Sequence, residues 1–336
     1  MKIVHVCAGA EANNGAAVIA AGFARAQAKA GHEVLFVATS FSPEPARVDL
    51  TGVRPIVFAR SRLPVLRQLC FSWGLFRELK KLCADADLVV THCQWTFPVW
   101  WAARCARRRL VMVPEGSFDP VRLRYGAWRK RLAGVFDRAA LRKAESVVAL
   151  SPREEDWIRA YLGRRGDDAS AARPQIVRRH PVIEIPPLSA APRAEGDPLR
   201  VLYLGRRHPL KGLDLLAEAA KGLPVEVRVE DALFGAEKES AFDWCDLLCL
   251  PTRSENYGLV VAEALARGKP VLTTTAAPWE GVVERRCGWW VQPDAAAVRA
   301  ALAEAVELHR TSPEALREMG RRGRTWMVEI QHPGQK

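Results

Sequence analysis

Apolar residues along the first half of the chain fall into short runs separated by stretches with helical spacing. Ile3-Val4-His5-Val6-Cys7, Val34-Leu35-Phe36-Val37 and residues 53–58, 88–91, 110–113 and 146–150 read as strands, being short and rich in β-branched side chains. Between them, residues 16–30, 63–83 and 128–143 carry apolar positions three and four apart and read as amphipathic helices. Apolar strands alternating with helices predict a parallel sheet covered on both faces. The pattern stops over residues 184–198 (EIPPLSAAPRAEGDP), where prolines replace periodicity and mark a linker. A second series follows at once, with strands at residues 199–204, 225–229, 247–250, 270–273 and 288–291 and helices near 211–221, 258–267 and 294–309. The fold class is therefore α/β: two Rossmann-like, doubly wound domains, residues 1–185 and 199–336, facing a cleft at the carboxyl ends of their strands, where such sheets bind ligands.

Length agrees, since 336 residues at about 150 per domain suit two domains. With 49% hydrophobic and 26% charged residues the chain is neither disordered nor fibrous. No apolar run approaches the roughly 18 residues of a membrane-spanning helix, and the stretch after Met1 meets Glu11 too early for a secretory signal, which predicts a cytoplasmic protein. Eight scattered cysteines, with no CxxC pair and no zinc spacing, predict buried reduced thiols and no metal site.

Charge adds a further feature. The net +12 is concentrated between Arg60 and Glu145, which hold 18 Lys/Arg against 7 Asp/Glu. Such a surface suits nucleic acid, an anionic membrane or an acidic substrate, and a solvated Arg-rich face gives the same count. No helix-turn-helix, zinc or RNA-binding signature is present, so no nucleic-acid partner is expected. Trp95, Trp100, Trp101 and Trp128 lie among Arg104, Arg107, Arg108, Arg109, Arg122, Arg124, Arg129, Lys130 and Arg131. Rings beside cations suit the headgroup level of an anionic bilayer, which predicts peripheral attachment to the inner face of the cell membrane; buried tryptophans with solvated arginines are the equal alternative.

Two stretches carry chemistry. Ser254-Glu255-Asn256-Tyr257-Gly258-Leu259-Val260 follows a strand and opens a helix near Gly258, whose first amides and dipole form a phosphate site. Glu255 precedes this helix and Glu263 lies inside it; eight residues at helical rise span at most about 12 Å, the reach of a diphosphate with a sugar at each end. The other stretch, Gly205-Arg206-Arg207-His208-Pro209-Leu210-Lys211-Gly212, places two arginines and a lysine at a strand end, where fixed cations neutralise a departing diphosphate without a metal.

Gly205-Arg206 with Lys211-Gly212, then Glu255-x7-Glu263, Gly258, Gly268-x-Pro270-Val271 and Glu280, closely resembles the retaining glycosyltransferases of family 4, which have the GT-B fold. The likeness is strongest over residues 199–292 and weaker over 1–185. It implies that Arg206 and Lys211 bind the donor diphosphate, that Glu255 contacts the transferred sugar, and that Glu263 meets the ribose hydroxyls. Asn256, Tyr257, Gly258, Leu259 and Val260 complete the donor turn, and Phe234 belongs to the loop that holds the nucleotide base. In the first half, residues 9–17 resemble the family's glycine-bearing loop, with Gly15 at the helix start and without the spacing of a dinucleotide fingerprint. His92 matches a common family histidine, with a plain structural role as the alternative.

Three departures qualify the likeness. The family's Pro-His-Gly segment is here Pro114-Glu115-Gly116, so that Glu115 is expected either to contact a sugar or act as a base, or to cap the turn. Residues 230–246 pass by without the usual further strand and helix, and residues 321–336 end without the usual long helix, which shortens the second domain. The implied activity is retaining, metal-independent transfer of a sugar from a nucleotide-diphosphate donor, with no cofactor, to a saccharide or lipid-linked glycan in lipopolysaccharide or other cell-surface polysaccharide assembly. A non-catalytic GT-B module that binds a nucleotide sugar or a partner is the rival reading.

Overall fold

A computed structural model describes residues 1–11, 14–41, 48–124, 126–163, 174–188, 196–231 and 233–332. Parts of two sequence features, residues 12–13 of the glycine-bearing loop and residues 189–195 of the expected linker, lie outside the described residues, as do residues 333–336. The chain divides into two compact units, Met1–Val182 and Ile183–Lys336. No helix among the described residues is long and apolar enough to cross a membrane.

The first unit runs β1 (Lys2–Val6), α1 (Gly15–Lys29), β2 (Glu33–Ser40), β3 (Arg54–Ala59), α2 (Pro64–Gln68), α3 (Trp73–Ala84), β4 (Leu88–His92), α4 (Phe97–Cys105), β5 (Arg109–Val113), α5 (Pro120–Arg124), α6 (Ala127–Lys143), β6 (Ser146–Ala149), α7 (Pro152–Leu162) and β7 (Gln175–Arg178). Its seven strands are all parallel, in the order β3-β2-β1-β4-β5-β6-β7. Val4, Val6, Leu35, Val37, Val89, Leu110 and Met112 are buried beneath Leu75, Leu79, Val99, Leu141 and Ile158 of the covering helices. Side chains that alternate between two apolar faces explain why these strands read as nearly unbroken hydrophobic runs. The single helix expected over residues 63–83 is two: Cys70 takes a left-handed φ of 55° and Ser72 restarts the chain as the cap of α3, its hydroxyl accepting from the Leu75 amide at 3.4 Å.

The second unit runs β8 (Leu199–Leu204), α8 (Leu213–Ala219), β9 (Val225–Glu230), α9 (Gly235–Trp244), β10 (Leu247–Leu250), α10 (Leu259–Ala266), β11 (Val271–Thr274), α11 (Gly281–Glu284), β12 (Gly288–Val291), α12 (Ala295–Thr311) and α13 (Pro313–Gln331). The five parallel strands are ordered β12-β11-β10-β8-β9. Two helices here were not read from the sequence. The ten-residue α9 joins β9 to β10, and the C-terminal part forms the 19-residue α13 within the same unit.

In each unit the winding direction reverses once. The chain turns outward from β1 to β2 and later returns to place β4 on the other side of β1; likewise β9 and β10 flank β8. Loops leaving the carboxyl ends of β1 and β4, and of β8 and β10, therefore part from one another and open a crevice at each switch point.

Helix α13 reaches the sheet layer through small residues. A Cβ on Gly320 would lie 1.8 Å from the carbonyl oxygen of Gly268, backbone against backbone, so neither side can yield cheaply. Gly320→Ala should therefore lower the unfolding free energy by about 2 kcal/mol, measured by urea denaturation, through overpacking. An unchanged midpoint would mean that α13 does not sit on α10.

Candidate active site

The loops at the β8/β10 switch point are stapled together. After Gly205 the chain exposes Arg206, Arg207 and His208 and makes a single 3-10 turn over Pro209–Lys211. Gly212 then takes a φ of 69°, and a Cβ there would lie 1.9 Å from the carbonyl oxygen of Pro251, so only glycine permits the approach. The Arg253 amide and the Thr252 hydroxyl both donate to the Leu210 carbonyl, at 2.7 and 2.8 Å. The Arg253 guanidinium donates to the Pro209 carbonyl at 3.0 Å and grips both oxygens of Asp214 at 2.7 and 2.6 Å.

This stapling brings Lys211 and Glu255, 44 residues apart, into an ion pair between Nζ and Oε2. Their side chains are only 19% and 9% exposed, so removing either leaves a poorly solvated charge. Glu255 is fixed from behind: its amide donates to the Ala276 carbonyl at 3.2 Å, and its Oε1 accepts from the Asn256 amide at 3.1 Å. The turn through buried Tyr257 rests on Trp279, whose indole donates to the Tyr257 carbonyl. Gly258 has a φ of 82° and caps α10. The amides of Leu259 and Val260 fall in the first turn, where a helix has no carbonyls of its own to receive them and the dipole favours an anion. Glu263, farther along α10, pairs with Lys238 of α9 at 2.5 Å, and Phe234, 37% exposed, stands at the start of α9.

The β1/β4 switch point of the first unit holds a different arrangement. His5 of β1 and His92 of β4 are fully buried with Nδ1 of one 2.9 Å from Nε2 of the other. His5 Nε2 lies 2.7 Å from Oε1 of Gln27 on α1, and His92 Nδ1 lies 2.8 Å from Oε1 of Glu115. The Cys93 thiol donates to the other Glu115 oxygen at 3.4 Å. Burial dominates the electrostatics: it pushes His5 down to about 4, His92 well below the ordinary imidazole range with help from His5, and Glu115 well above the carboxylate range with help from Glu154. Burial thus favours the neutral form of all three. Glu115 also sits at a φ of 54°, and its turn is held by buried Glu154, whose two oxygens accept from the Gly116 and Leu150 amides at 2.5 and 2.8 Å. Gly15 opens α1 behind the cap Asn14.

Sequence reasoning missed His5, Gln27, Cys93 and Glu154 here and Lys238, Thr252 and Arg253 in the second unit. Only Glu154 carried a local signal, the Ser151-x-x-Glu154 spacing of a helix start, with the Ser151 hydroxyl accepting from the Glu154 amide at 3.1 Å. The expected aromatic-basic face is also rearranged. Trp95 donates to the Ser117 carbonyl at 3.0 Å, Trp101 to the Phe76 carbonyl at 3.0 Å, and Trp100 stacks on Phe136 at 5.3 Å, whereas Trp128 is 65% exposed. Among the described residues no cluster of three or more His, Cys, Asp or Glu is placed to hold a metal ion.

Known proteins match both units. Residues 13–170 fit the model of Glycosyltransferase Family 4, and residues 188–308 fit that of Glycosyl transferases group 1. The chain belongs to the family 4, group 1 glycosyltransferases. A D-inositol 3-phosphate glycosyltransferase of Xylanimonas cellulosilytica is 26% identical over 317 residues, covering 77% of this chain and 75% of the relative. Anabaena HepE, solved with UDP and glucose, aligns with a TM-score of 0.73 at 17% identity over 99% of this chain and 98% of its own. WaaG, a glycosyltransferase involved in lipopolysaccharide biosynthesis, aligns with a TM-score of 0.66 at 16% identity over 97% and 95% of the two chains. These structures share the fold, GT-B with two Rossmann-like domains.

The buried histidine gives this glycosyltransferase an acid-sensitive term. In the unfolded chain His5 takes up a proton as pH falls through 6.5, while in the folded unit it resists until about 4, so folding stability is lost over that range. Between pH 7 and pH 4 the wild type should lose about 3 kcal/mol relative to His5→Gln, followed by denaturant titration. A stability gap that does not change with pH would contradict the assignment.

Proposed function

We propose that this glycosyltransferase moves a sugar, with retention of anomeric configuration and without a metal, from a nucleotide-diphosphate donor to a saccharide or lipid-linked glycan. The observation that carries the reading is the Lys211–Glu255 pair at the β8/β10 switch point, beside the first turn of α10. A diphosphate entering there takes over the Lys211 charge and adds Arg206 and the Leu259 and Val260 amides. Glu255 is then free for the hydroxyls of the transferred sugar. Glu263 reaches the ribose, Asn256, Tyr257 and Gly258 shape the turn, and Phe234 stands beside the base.

Glu115, pushed toward its neutral form by burial and with both oxygens engaged, makes a poor nucleophile. Front-face transfer fits better: the acceptor oxygen bonds to the anomeric carbon, the bond from that carbon to the diphosphate oxygen breaks, and the acceptor proton passes to the departing diphosphate. In this scheme Gly15 lies on the acceptor side, and His92, expected to bind substrate, instead stands behind it with Glu115, fully buried and with both ring nitrogens engaged. The five-stranded sheet favours one rival, a non-catalytic nucleotide-sugar-binding module. UDP in HepE and the inositol phosphate and lipopolysaccharide glycosyltransferases support a nucleotide sugar and a hydroxyl-rich acceptor in cell-surface polysaccharide assembly. Work on such acceptors suits the cytoplasmic face of the membrane. Helix α6 fits that setting, exposing Trp128, Val135 and Phe136 beside Arg131 and Arg142 while its single acid, Asp137, is buried.

Turnover tests the reaction. With nucleotide sugar and acceptor present, free nucleoside diphosphate should appear, and Arg206→Ala or Lys211→Ala should slow its formation on the order of 10²-fold by removing leaving-group stabilisation. Release by neither wild type nor variants across the common donors would favour the non-catalytic module, and wild-type rates in both variants would refute the clamp. For the membrane, sedimentation with vesicles should show binding to anionic but not neutral lipid that fades as salt rises. Equal or absent binding to both kinds would exclude it.

A further inference from the structure

The string Gln27, His5, His92, Glu115 spans α1, β1, β4 and the turn after β5 without a break, at 2.7, 2.9 and 2.8 Å. Each link holds one proton, and its order follows from one end. The Gln27 amide oxygen has no proton to give, so His5 must donate from Nε2. A neutral His5 then has a bare Nδ1, which requires His92 to donate from Nε2. His92 in turn has a bare Nδ1, which accepts the proton of Glu115. We propose that Gln27 and His5 are positioning residues of the transfer site, which through His92 hold the Glu115 carboxyl as a neutral hydrogen-bond donor pointing into the protein.

Ionising Glu115 then requires more than removing one proton. Its carboxylate would face the lone pair of His92 Nδ1, so both imidazoles would have to exchange tautomers and the Gln27 side chain would have to present its NH₂ in place of its oxygen. Burial acts in the same direction, since His5, His92 and Glu115 are all shielded from water. Of the groups facing Glu115, Glu154 on α7 opposes its ionisation and the Cys93 thiol, donating to its other oxygen, favours it less strongly than burial opposes it, while Arg122 of α5 acts on Cys93. The imidazoles face each other, Gln27 and the ring of Phe23, 6.5 Å from His92. A unit that takes a hydroxyl-bearing acceptor gains from a buried acid that donates a hydrogen bond without carrying charge; this consequence rests on the proposed function, whereas the proton order does not.

The test uses the full chain without substrates. With ¹⁵N-labelled histidine, nuclear magnetic resonance at pH 7 should show His5 and His92 both neutral with the proton on Nε2, and infrared spectroscopy should show a protonated-carboxyl band that Glu115→Gln abolishes. Gln27→Leu removes the acceptor that sets the order, so the band should vanish at a pH lower by about one unit, and the alkaline limb of kcat/KM should move with it. Gln27→Glu still accepts from His5 and should keep the wild-type order. Protons on Nδ1 of the two histidines, an ionised Glu115 in the wild type at pH 7, or Gln27→Leu titrating like the wild type would each overturn the proposal. The wild-type spectra decide it even if Gln27→Leu does not fold. The expected spectra in a protein that turns over no donor would refute the transfer reaction and leave the proton order standing.

Discussion

Gly212 lies against the carbonyl of Pro251 at a distance no other residue allows, and the chemistry of the second unit depends on that contact. Two loops that diverge from the switch point would otherwise be free to separate. The glycine lets them touch, Thr252 and Arg253 lock them with hydrogen bonds to Leu210 and Pro209, and Lys211 and Glu255 meet as a result. An ion pair with little exposure is a modest stabiliser because desolvation offsets its Coulomb attraction. In the proposed function its value lies in placement: a cation and a carboxylate are held where an anion and a polyol would be handled, with little left to reorganise at the moment of reaction.

The first unit uses the same topology with the opposite electrostatics. Both switch points join loops from adjacent parallel strands, but β1 and β4 meet through imidazoles in the interior rather than through charges near water. Burial drives those groups to their neutral forms, and hydrogen bonding satisfies the atoms that remain polar. One switch point thus holds a cation and a carboxylate in an ion pair, and the burial of the other disfavours charge.

What was legible in the sequence follows from where each signal is written. Strands β1, β2, β4, β5, β8 and β10 announce themselves because buried parallel strands are runs of apolar residues. Arg206, Lys211, Glu255 and Gly258 stood out as candidates because they sit in loops at strand ends, where residues are free of packing demands, and the structure brings Lys211 and Glu255 together. His5 was hidden inside an apolar strand, and its partner His92 is 87 residues away, a separation no local pattern spans. Gln27 rides on an alanine-rich helix with nothing to distinguish it. Helix α9 escaped because only Ala241 and Phe242 of its ten residues are buried, and α13 because it buries small residues, Gly320 and Gly323, where a helix usually shows large apolar ones. The four tryptophans could not be sorted into core and surface from sequence, since the partners of Trp95, Trp100 and Trp101 come from other elements.

The central claim is that the second unit binds a diphosphate at the β8/β10 switch point. Hydrogen–deuterium exchange read residue by residue, with and without saturating nucleoside diphosphates of each common base, tests it most directly. At least one of them should slow exchange at the Leu259 and Val260 amides and across residues 205–212 together, because the same phosphates engage both loops. Binding that leaves these amides unchanged, or protects a different strand edge, would contradict the account.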